Sequence, residues 1–398
     1  MNQWKKVKLG DLCKRVTSGG TPKSSNNTFY NPPTIPWLKT KEVNYCRIRE
    51  TETYISEEGL NNSSAKLIEP NSIIVAMYGQ GDTAGRVAIN KIPLTTNQAC
   101  CNLTINQDIA DYEFVYYQLC TLYAKMVSLK SGAAQPNLNA VIIKSLSISL
   151  PPLPVQHRIA SILSRYDSLI ENYQHQLKLL EEAAQRLYKQ WFVDLKFPGY
   201  EKTVFVDGIP QGWEKGILDN IAFESGKKVD KKTRNSYKYY LPIDCLPKHS
   251  LTYLNPANIN LAESSLVSFE ENDIIFGAMR PYFHKVCFAQ TRGLTRTTCF
   301  VLNSREKEYY EYLLMLLFDD STIKHATSIS VGTTMPYTRW KELKKMGIII
   351  PTKDIATSFG QIINRITDIL KKLSLQIRHL TEARDRLLPK LMNGEIEV

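Results

Sequence analysis

The last third of this chain repeats its middle at a constant offset of 200 residues, and any fold it adopts must accommodate that repeat. Laying residues 132–187 on 332–387 without a gap gives 13 identities in 56 positions. Composition alone would give roughly three. The matches run from Gly132/Gly332, Pro136/Pro336, Lys144/Lys344, Ile148/Ile348 and Pro151/Pro351 to Arg165/Arg365, Glu182/Glu382, Arg186/Arg386 and Leu187/Leu387. Two amphipathic helices alike by chance would explain the Leu and Glu matches. They would not explain a Gly-x3-Pro and a further Pro at fixed distances upstream. The chain therefore carries two long units of one design in tandem.

The repeated segment predicts a long helix entered through prolines. Pro151-Pro152-Leu153-Pro154 stops an extended run, Ser147 to Leu150, and opens the helix. Seam residues then recur at Ile159, Leu163, Tyr166, Ile170, Tyr173, Leu177, Leu180, Ala184 and Leu187. The alternating spacing of four and three is a heptad stripe. The second copy gives Phe359, Ile363, Ile366, Leu370, Leu373, Ile377, Leu380, Arg384 and Leu387. Arg384 breaks the stripe near its end, where a solvent-reaching side chain is expected. Each seam needs a partner, and the other copy supplies it. Because each helix follows its own domain, antiparallel pairing about a pseudo-twofold axis is expected. From Ile159 to Leu187 such a helix measures about 42 Å, or roughly 12 base pairs of B-DNA.

The two regions that precede the helices echo each other. Each opens on a Trp motif (Trp4 to Leu9, Trp213 to Leu218) and a Ser-Gly (Ser18-Gly19, Ser225-Gly226). Three short strands are predicted in each: Ile73–Tyr78, Arg86–Ile89 and Ala99–Leu103, then Ile274–Met279, Lys285–Ala289 and Thr298–Leu302. A helix follows in each, with seams at Val115, Leu119, Leu122 and Met126, and at Tyr310, Leu313, Leu314 and Leu317. The order places the chain in the α+β class. The expected division is a first domain over 1–150, a central helix over 151–198, a second domain over 199–351 and a C-terminal helix over 352–398.

Charge and composition narrow the function. A net charge of +11 favours a polyanionic partner. The eight cysteines form no C-x-x-C pair. With no secretory leader, they are expected to be reduced thiols in a cytoplasmic protein. Cys100-Cys101 reads as core. The apolar stretch from Tyr309 to Phe318 is too short to cross a bilayer. Asn31-Pro32-Pro33-Thr34 lacks the aromatic residue that would stack a flipped base, so it reads as a turn. Ser225-Gly226-Lys227-Lys228 is not a phosphate-binding loop, and Gly79-Gln80-Gly81 with Gly85 lacks a nucleotide-fold context. The six histidines show no spacing suited to a metal, and no metal site is expected.

At this point the residues resemble a family. Pro151-Pro152-Leu153-Pro154-Val155-Gln156-His157-Arg158-Ile159-Ala160 is similar to the PPLPEQ-RIA signature that opens the central helix of type I restriction–modification DNA specificity subunits; Val155 stands where the pattern has Glu. Trp191-Phe192-Val193-Asp194 and the stretch from Leu387 to Ile396 resemble the ends of that family's helices. Gly20-Thr21-Pro22-Lys23 with Ile35 to Val43, and Phe276 to Tyr282 with Lys285-Val286, resemble its target recognition domains. The resemblance implies two tandem α+β recognition domains separated by two long antiparallel coiled-coil helices, each domain reading half of a bipartite site in double-stranded DNA. It implies no catalysis in this chain. The expected partners are two methyltransferase subunits and restriction/translocase subunits, which would carry S-adenosylmethionine, ATP and Mg.

Expected DNA contacts are cationic, amide and small residues on loops beside the strands. In the first domain these are Lys23, Lys39, Lys41, Tyr78, Gln80, Arg86 and the Lys130–Gln135 loop. In the second they are Lys227, Lys228, Lys231, Lys232, Arg280, Tyr282, His284, Lys285, Arg292 and Arg296. Arg and Lys suit phosphates and guanine edges, and Gln suits adenine. Asn97-Gln98 could read adenine but more often serves structure at such a position. Arg165, Arg186, Arg365 and Arg386 lie off the seam and are expected to face partners. A freestanding methyltransferase or nuclease, and a DNA-binding regulator acting alone, are the competing functions. A methyl-transfer assay and a pull-down from the host would discriminate them.

Overall fold

The computed structural model describes residues 4–130 and 137–398; Gly132, Pro136 and the Gln135 candidate lie outside the described residues. The chain forms two compact units, Met1–Ser168 with Glu382–Val398, and Leu169–Thr381. The helix Leu153–Tyr188 begins in the first and ends in the second, and the helix Lys353–Met392 does the reverse.

In the first unit, Lys5–Lys8 pairs antiparallel with Ser147–Leu150, Lys5 opposite Leu150. The Trp motif is thus one strand of a ribbon whose other strand feeds the long helix. Pro151 ends that strand. Its carbonyl accepts a hydrogen bond from Gln156 Nε2 (2.9 Å), while Gln156 Oε1 accepts from the backbone of Asp111 (2.9 Å). The buried glutamine of the signature therefore locks the helix entrance to the domain. A five-stranded sheet runs in the order Cys13–Ser18, Cys100–Ile105, Ile73–Ala76, Val87–Asn90 and Arg47–Ile48. Ile73 at its centre faces Leu103 on one side and Ile89 on the other. All four residues of Ile73–Ala76 are buried, as expected of a continuous apolar run between two covered faces. A smaller sheet sets Ile35–Leu38 between Tyr54–Ile55 and Thr95–Thr96. The helix expected across Val115 to Met126 breaks at Leu122 into Tyr112–Thr121 and Tyr123–Ser128.

The second unit repeats this plan. Glu214–Ile217 pairs with Gly347–Ile350, and the Pro351 carbonyl is held by Tyr309 OH at 3.1 Å, because Ala356 replaces the glutamine. The main sheet runs Ala222–Glu224, Cys299–Ser304, Ile274–Gly277, Val286–Phe288, with Ile274 facing Leu302 and Phe288. A second sheet joins Lys227–Val229, Leu266–Phe269 and Gly293–Arg296. The helix Tyr310–Phe318 is followed by Asp320–Ser328, whose cap Asp319 accepts from Ser321 N (2.9 Å).

The long helices pair antiparallel within each unit. In the first, Ile159 and Leu163 share a core with Leu387, Leu391 and Met392. In the second, Ile170, Leu177, Leu180, Ala184 and Leu187 share a core with Phe359, Ile363, Ile366, Leu370, Leu373, Ile377 and Leu380. Two seam expectations need correction. Tyr166 is only half-buried, and the neighbouring Asp167 takes the buried position. Arg384 does not reach for solvent: its Nη1 lies 2.7 Å from Asp167 Oδ1. A charge can replace a seam hydrophobe there because an opposite buried charge meets it.

Candidate nucleic-acid interface

Some of the expected DNA contacts fall on matching connections of the two units. In the first, Tyr78, Gln80 and Arg86 belong to the connection between strands Ile73–Ala76 and Val87–Asn90. That connection turns at Gly81 and Gly85, both at positive φ. In the second, Arg280, Tyr282, His284 and Lys285 belong to the matching connection between Ile274–Gly277 and Val286–Phe288. Lys39 caps and Lys41 lies within the short turn Thr40–Glu42 after the strand Ile35–Leu38, and Lys23 lies in an exposed loop upstream. Lys227 and Lys228 lie on an outer strand of the second unit's smaller sheet; Arg292 immediately precedes its other outer strand, Gly293–Arg296, and Arg296 ends it.

Their availability differs. Lys23, Lys227, Lys228 and Arg296 are exposed, with no ion pair among the described residues. Lys231 pairs with Glu263 at 3.4 Å. Lys232 is exposed, and Arg292 lies 4.8 Å above the Tyr237 ring. Lys39 sits over the Trp37 ring at 5.1 Å, and Lys41 pairs with Glu52. Arg86 is held by Asp82 (2.5 Å) and Asn44 (3.0 Å), which fixes its fork in one orientation. Lys285 donates to the Ile243 carbonyl at 2.6 Å, so its charge is committed to the fold. Arg280 occupies a left-handed backbone position (φ 51°) and reaches the Thr334 carbonyl. Tyr282 projects from the same loop and is 48% exposed.

His284 departs furthest from the expectation of a surface contact. It is buried, its Nε2 lies 2.8 Å from the Phe318 carbonyl, and its ring packs against Phe318 and His249. Burial and the neighbouring His249 lower its pKa below the ordinary imidazole value. Asn97 is structural: its carbonyl accepts from Cys100 N, and its side chain from Cys100 Sγ. Cys100 and Cys101 are fully buried, and burial pushes the Cys101 thiol up to about 12. The Asn31 to Thr34 segment is an exposed turn, with Asn31 Nδ2 donating to Asn27 Oδ1 at 2.7 Å.

Sequence reasoning missed two polar constellations. In the first unit, Asp167 binds Arg47 Nη1 (2.9 Å), Tyr117 OH (2.5 Å) and Arg384. Asp167 and Arg384 alone are 217 apart in sequence, and no motif links these residues. In the second, Glu181 Oε1 accepts from Leu251 N (2.8 Å), Ser250 OH (2.8 Å) and Thr252 OH (3.3 Å). Burial raises the Glu181 pKa from 4.5 to about 7. Its only trace in sequence is an acid on the apolar side of a helix. Arg165, Arg186, Arg365 and Arg386 all face solvent; Arg186 and Arg386 each pair one turn back, with Glu182 and Glu382.

A duplicated α+β recognition fold carried on long helices, with basic loops beside each sheet, defines a class of DNA-reading subunits. The chain belongs to the type I restriction–modification DNA specificity family, whose model matches it over residues 1–182 and again over 210–384. It is a specificity subunit concerned with DNA sequence recognition, not an enzyme. It is 28% identical to the type I restriction enzyme MjaIX specificity subunit of Methanocaldococcus jannaschii, covering 99% of this chain and 94% of that one. The HindI specificity subunit of Haemophilus influenzae is 22% identical over all of both chains. The S subunit of the type I system of M. genitalium shares the fold, with a TM-score of 0.61 at 16% identity over 98% of this chain and 96% of that one. Among the described residues, no helix is long and apolar enough to cross a membrane.

Proposed function

We propose that each unit reads one half of a bipartite site in double-stranded DNA, and that the long helices carry two methyltransferase subunits and, with them, restriction/translocase subunits. The observation that carries this is the duplication itself. Both units set an equivalent buried strand between antiparallel neighbours, follow it with a connection that carries candidate contacts, and enter a long helix through a proline whose carbonyl is hydrogen-bonded, by Gln156 in one and Tyr309 in the other. A chain that reads one continuous sequence has no use for two copies of this device. S-adenosylmethionine, ATP and Mg then belong to the partner subunits, and the complex works in the cytoplasm. The exposed arginines repeated at the 200-residue offset, Arg165/Arg365 and Arg186/Arg386, suit equivalent docking surfaces for two copies of one partner.

The helices also set how many unspecified base pairs separate the half-sites. Removing one heptad from each helix, residues 170–176 and 370–376, takes away about 10 Å of helix, or ~3 base pairs. A base-resolution methylation map of a host carrying this double deletion should show the same half-sites with a shorter gap. An unchanged methylated motif would rule the spacer reading out.

A further inference from the structure

Three side chains separated by 35 and 36 residues in sequence converge in the second unit: His249, His284 and Asp320. Each offers one ligand atom, and these atoms all lie within 4.8 Å of one another. We propose that they form a divalent transition-metal site, best suited to Zn²⁺, which fastens the 278–285 hairpin loop to the turn at His249 and to the start of the helix Asp320–Ser328.

The protonation pattern at His284 supports this. Its Nε2 faces the Phe318 carbonyl at 2.8 Å, a pure acceptor, so Nε2 carries the proton and Nδ1 keeps its lone pair. Metal-bound histidines usually donate their second ring N–H in this way, to a backbone carbonyl or carboxylate. Nδ1 is buried and has no well-aligned hydrogen bond; Asp320 Oδ1 lies 3.2 Å away. A lone pair beside a carboxylate is repulsive unless a cation lies between them. With metal–ligand bonds of about 2.0–2.1 Å, neighbouring ligand atoms of a tetrahedral site are about 3.3 Å apart. The Nδ1–Oδ1 distance already matches that edge. A shared metal would lie off the line joining the two atoms, so a carboxylate outside hydrogen-bonding alignment is what coordination requires.

The backbone is arranged to the same end. His249 and His284 both hold left-handed conformations, φ 51° and 50°, and His249 N donates to the His284 carbonyl at 2.9 Å. Such conformations cost energy in residues other than glycine and persist where the surroundings enforce them. His249 and Asp320 are exposed and can adjust by rotamer, while His284 is fixed. A pocket of about 430 Å³ lies over the three ligands, beside Tyr282 and Ile323, and leaves the fourth position to water. Two imidazoles and a carboxylate suit Zn²⁺ better than Mg²⁺ or Ca²⁺, which prefer oxygen ligands.

The full-length chain, stripped with a chelator, is titrated with Zn²⁺ by calorimetry and with Co²⁺ by absorption. One Zn²⁺ per chain is expected. His249→Ala and Asp320→Asn, both at exposed positions, should each weaken binding more than about tenfold, since even the loss of an outer hydrogen-bond partner costs about that much. Co²⁺ should show d–d bands without thiolate charge transfer, which separates this site from adventitious cysteine binding. Hydrogen exchange over residues 278–285 should slow with Zn²⁺ in the parent and not in either variant. No binding, binding that both variants retain, or a thiolate signature would overturn the proposal and leave His284–Asp320 a plain ion pair.

Discussion

At the 200-residue offset, Asp167 and Arg384 of the first unit correspond to Thr367 and Ala184 of the second. The same helical layer is therefore built in two ways. In the first unit it holds a buried charge cluster, with Asp167 side-chain exposure 7% and Arg47 4%. In the second, Ala184 is wholly buried and the Thr367 hydroxyl donates to the Asn364 carbonyl of its own helix. Nearby, the second unit packs aromatic rings: Phe192 lies 4.7 Å from Tyr312 and 4.8 Å from Phe359. The first has Leu391 and Met392 at the places of Trp191 and Phe192. A duplicated backbone plan thus tolerates opposite chemistry in its core, provided each copy satisfies itself. Burial opposes the Arg47 charge, but Tyr117 and Asp167 outweigh it and raise its pKa. Arg47 sits on the outer strand of the five-stranded sheet, so the cluster ties that sheet directly to both long helices.

Removing the shared anion should separate the two units most strongly. Asp167→Ala removes the anion shared by two arginines, leaving Arg47 to Glu113 (3.5 Å) and Arg384 to Asp385 (2.8 Å), and should cost the first unit up to about 3–5 kcal/mol, as for a broken buried pair. Thr367→Ala at the matching place should stay within about 0.5 kcal/mol. Denaturant unfolding, followed by probes in each unit, should show the first unit's transition fall in Asp167→Ala. Equal shifts for the two variants would mean the cluster contributes no more than an ordinary helix contact.

A smaller contrast is pH-dependent and belongs to the second unit. Glu181 has a folded-state pKa of about 7 against 4.5 unperturbed. A raised folded pKa means the folded state binds the proton more tightly. The associated stability is complete below pH 4.5 and is lost as pH rises through 7, with an upper bound of about 3 kcal/mol. Glu181→Gln keeps an acceptor for Leu251 N and Ser250 OH but cannot ionise. The variant's second-unit stability should be flatter than the parent's between those limits, and the first unit's unaltered. Parallel stability–pH curves would refute the assignment.

These contrasts explain what the sequence could reveal. The strands Ser147–Leu150 and Ile73–Ala76 and the long helices were legible, because apolar periodicity and proline stops are local signals. The ribbon of Lys5–Lys8 with Ser147–Leu150 was not, since strand pairing across 140 residues leaves no local mark. The Arg384 seam break was visible but misassigned, because its counter-ion lies 217 residues away. His249, His284 and Asp320 were invisible for the same reason. Of the expected DNA contacts, Tyr78, Gln80, Arg86 and Arg280 to Lys285 do lie on connections beside strands, whereas Lys227, Lys228 and Arg296 lie on strands. Residue type could not distinguish a free lysine such as Lys227 from one already spent on a carbonyl, such as Lys285.

The difference between free and committed lysines gives the smallest predicted effect. Lys227 and Lys228 are exposed and unpaired among the described residues, whereas Lys41 of the first unit already pairs with Glu52. A lysine that neutralises a DNA phosphate releases condensed counterions, so each true contact adds about 0.9 to the slope of log K against log salt. Lys227→Ala with Lys228→Ala should weaken binding to all sequences and lower that slope by up to about two. Lys41→Ala should lower it by well under one, because its charge is partly offset before DNA arrives. Binding of the assembled complex across a salt series reads both slopes. If Lys41→Ala flattens the dependence as much as the double variant does, the Glu52 pair opens on binding and local pairing is no guide to which lysines meet phosphate. If neither variant changes the slope, the basic edge of the second unit's smaller sheet is solvated surface and DNA lies against other residues.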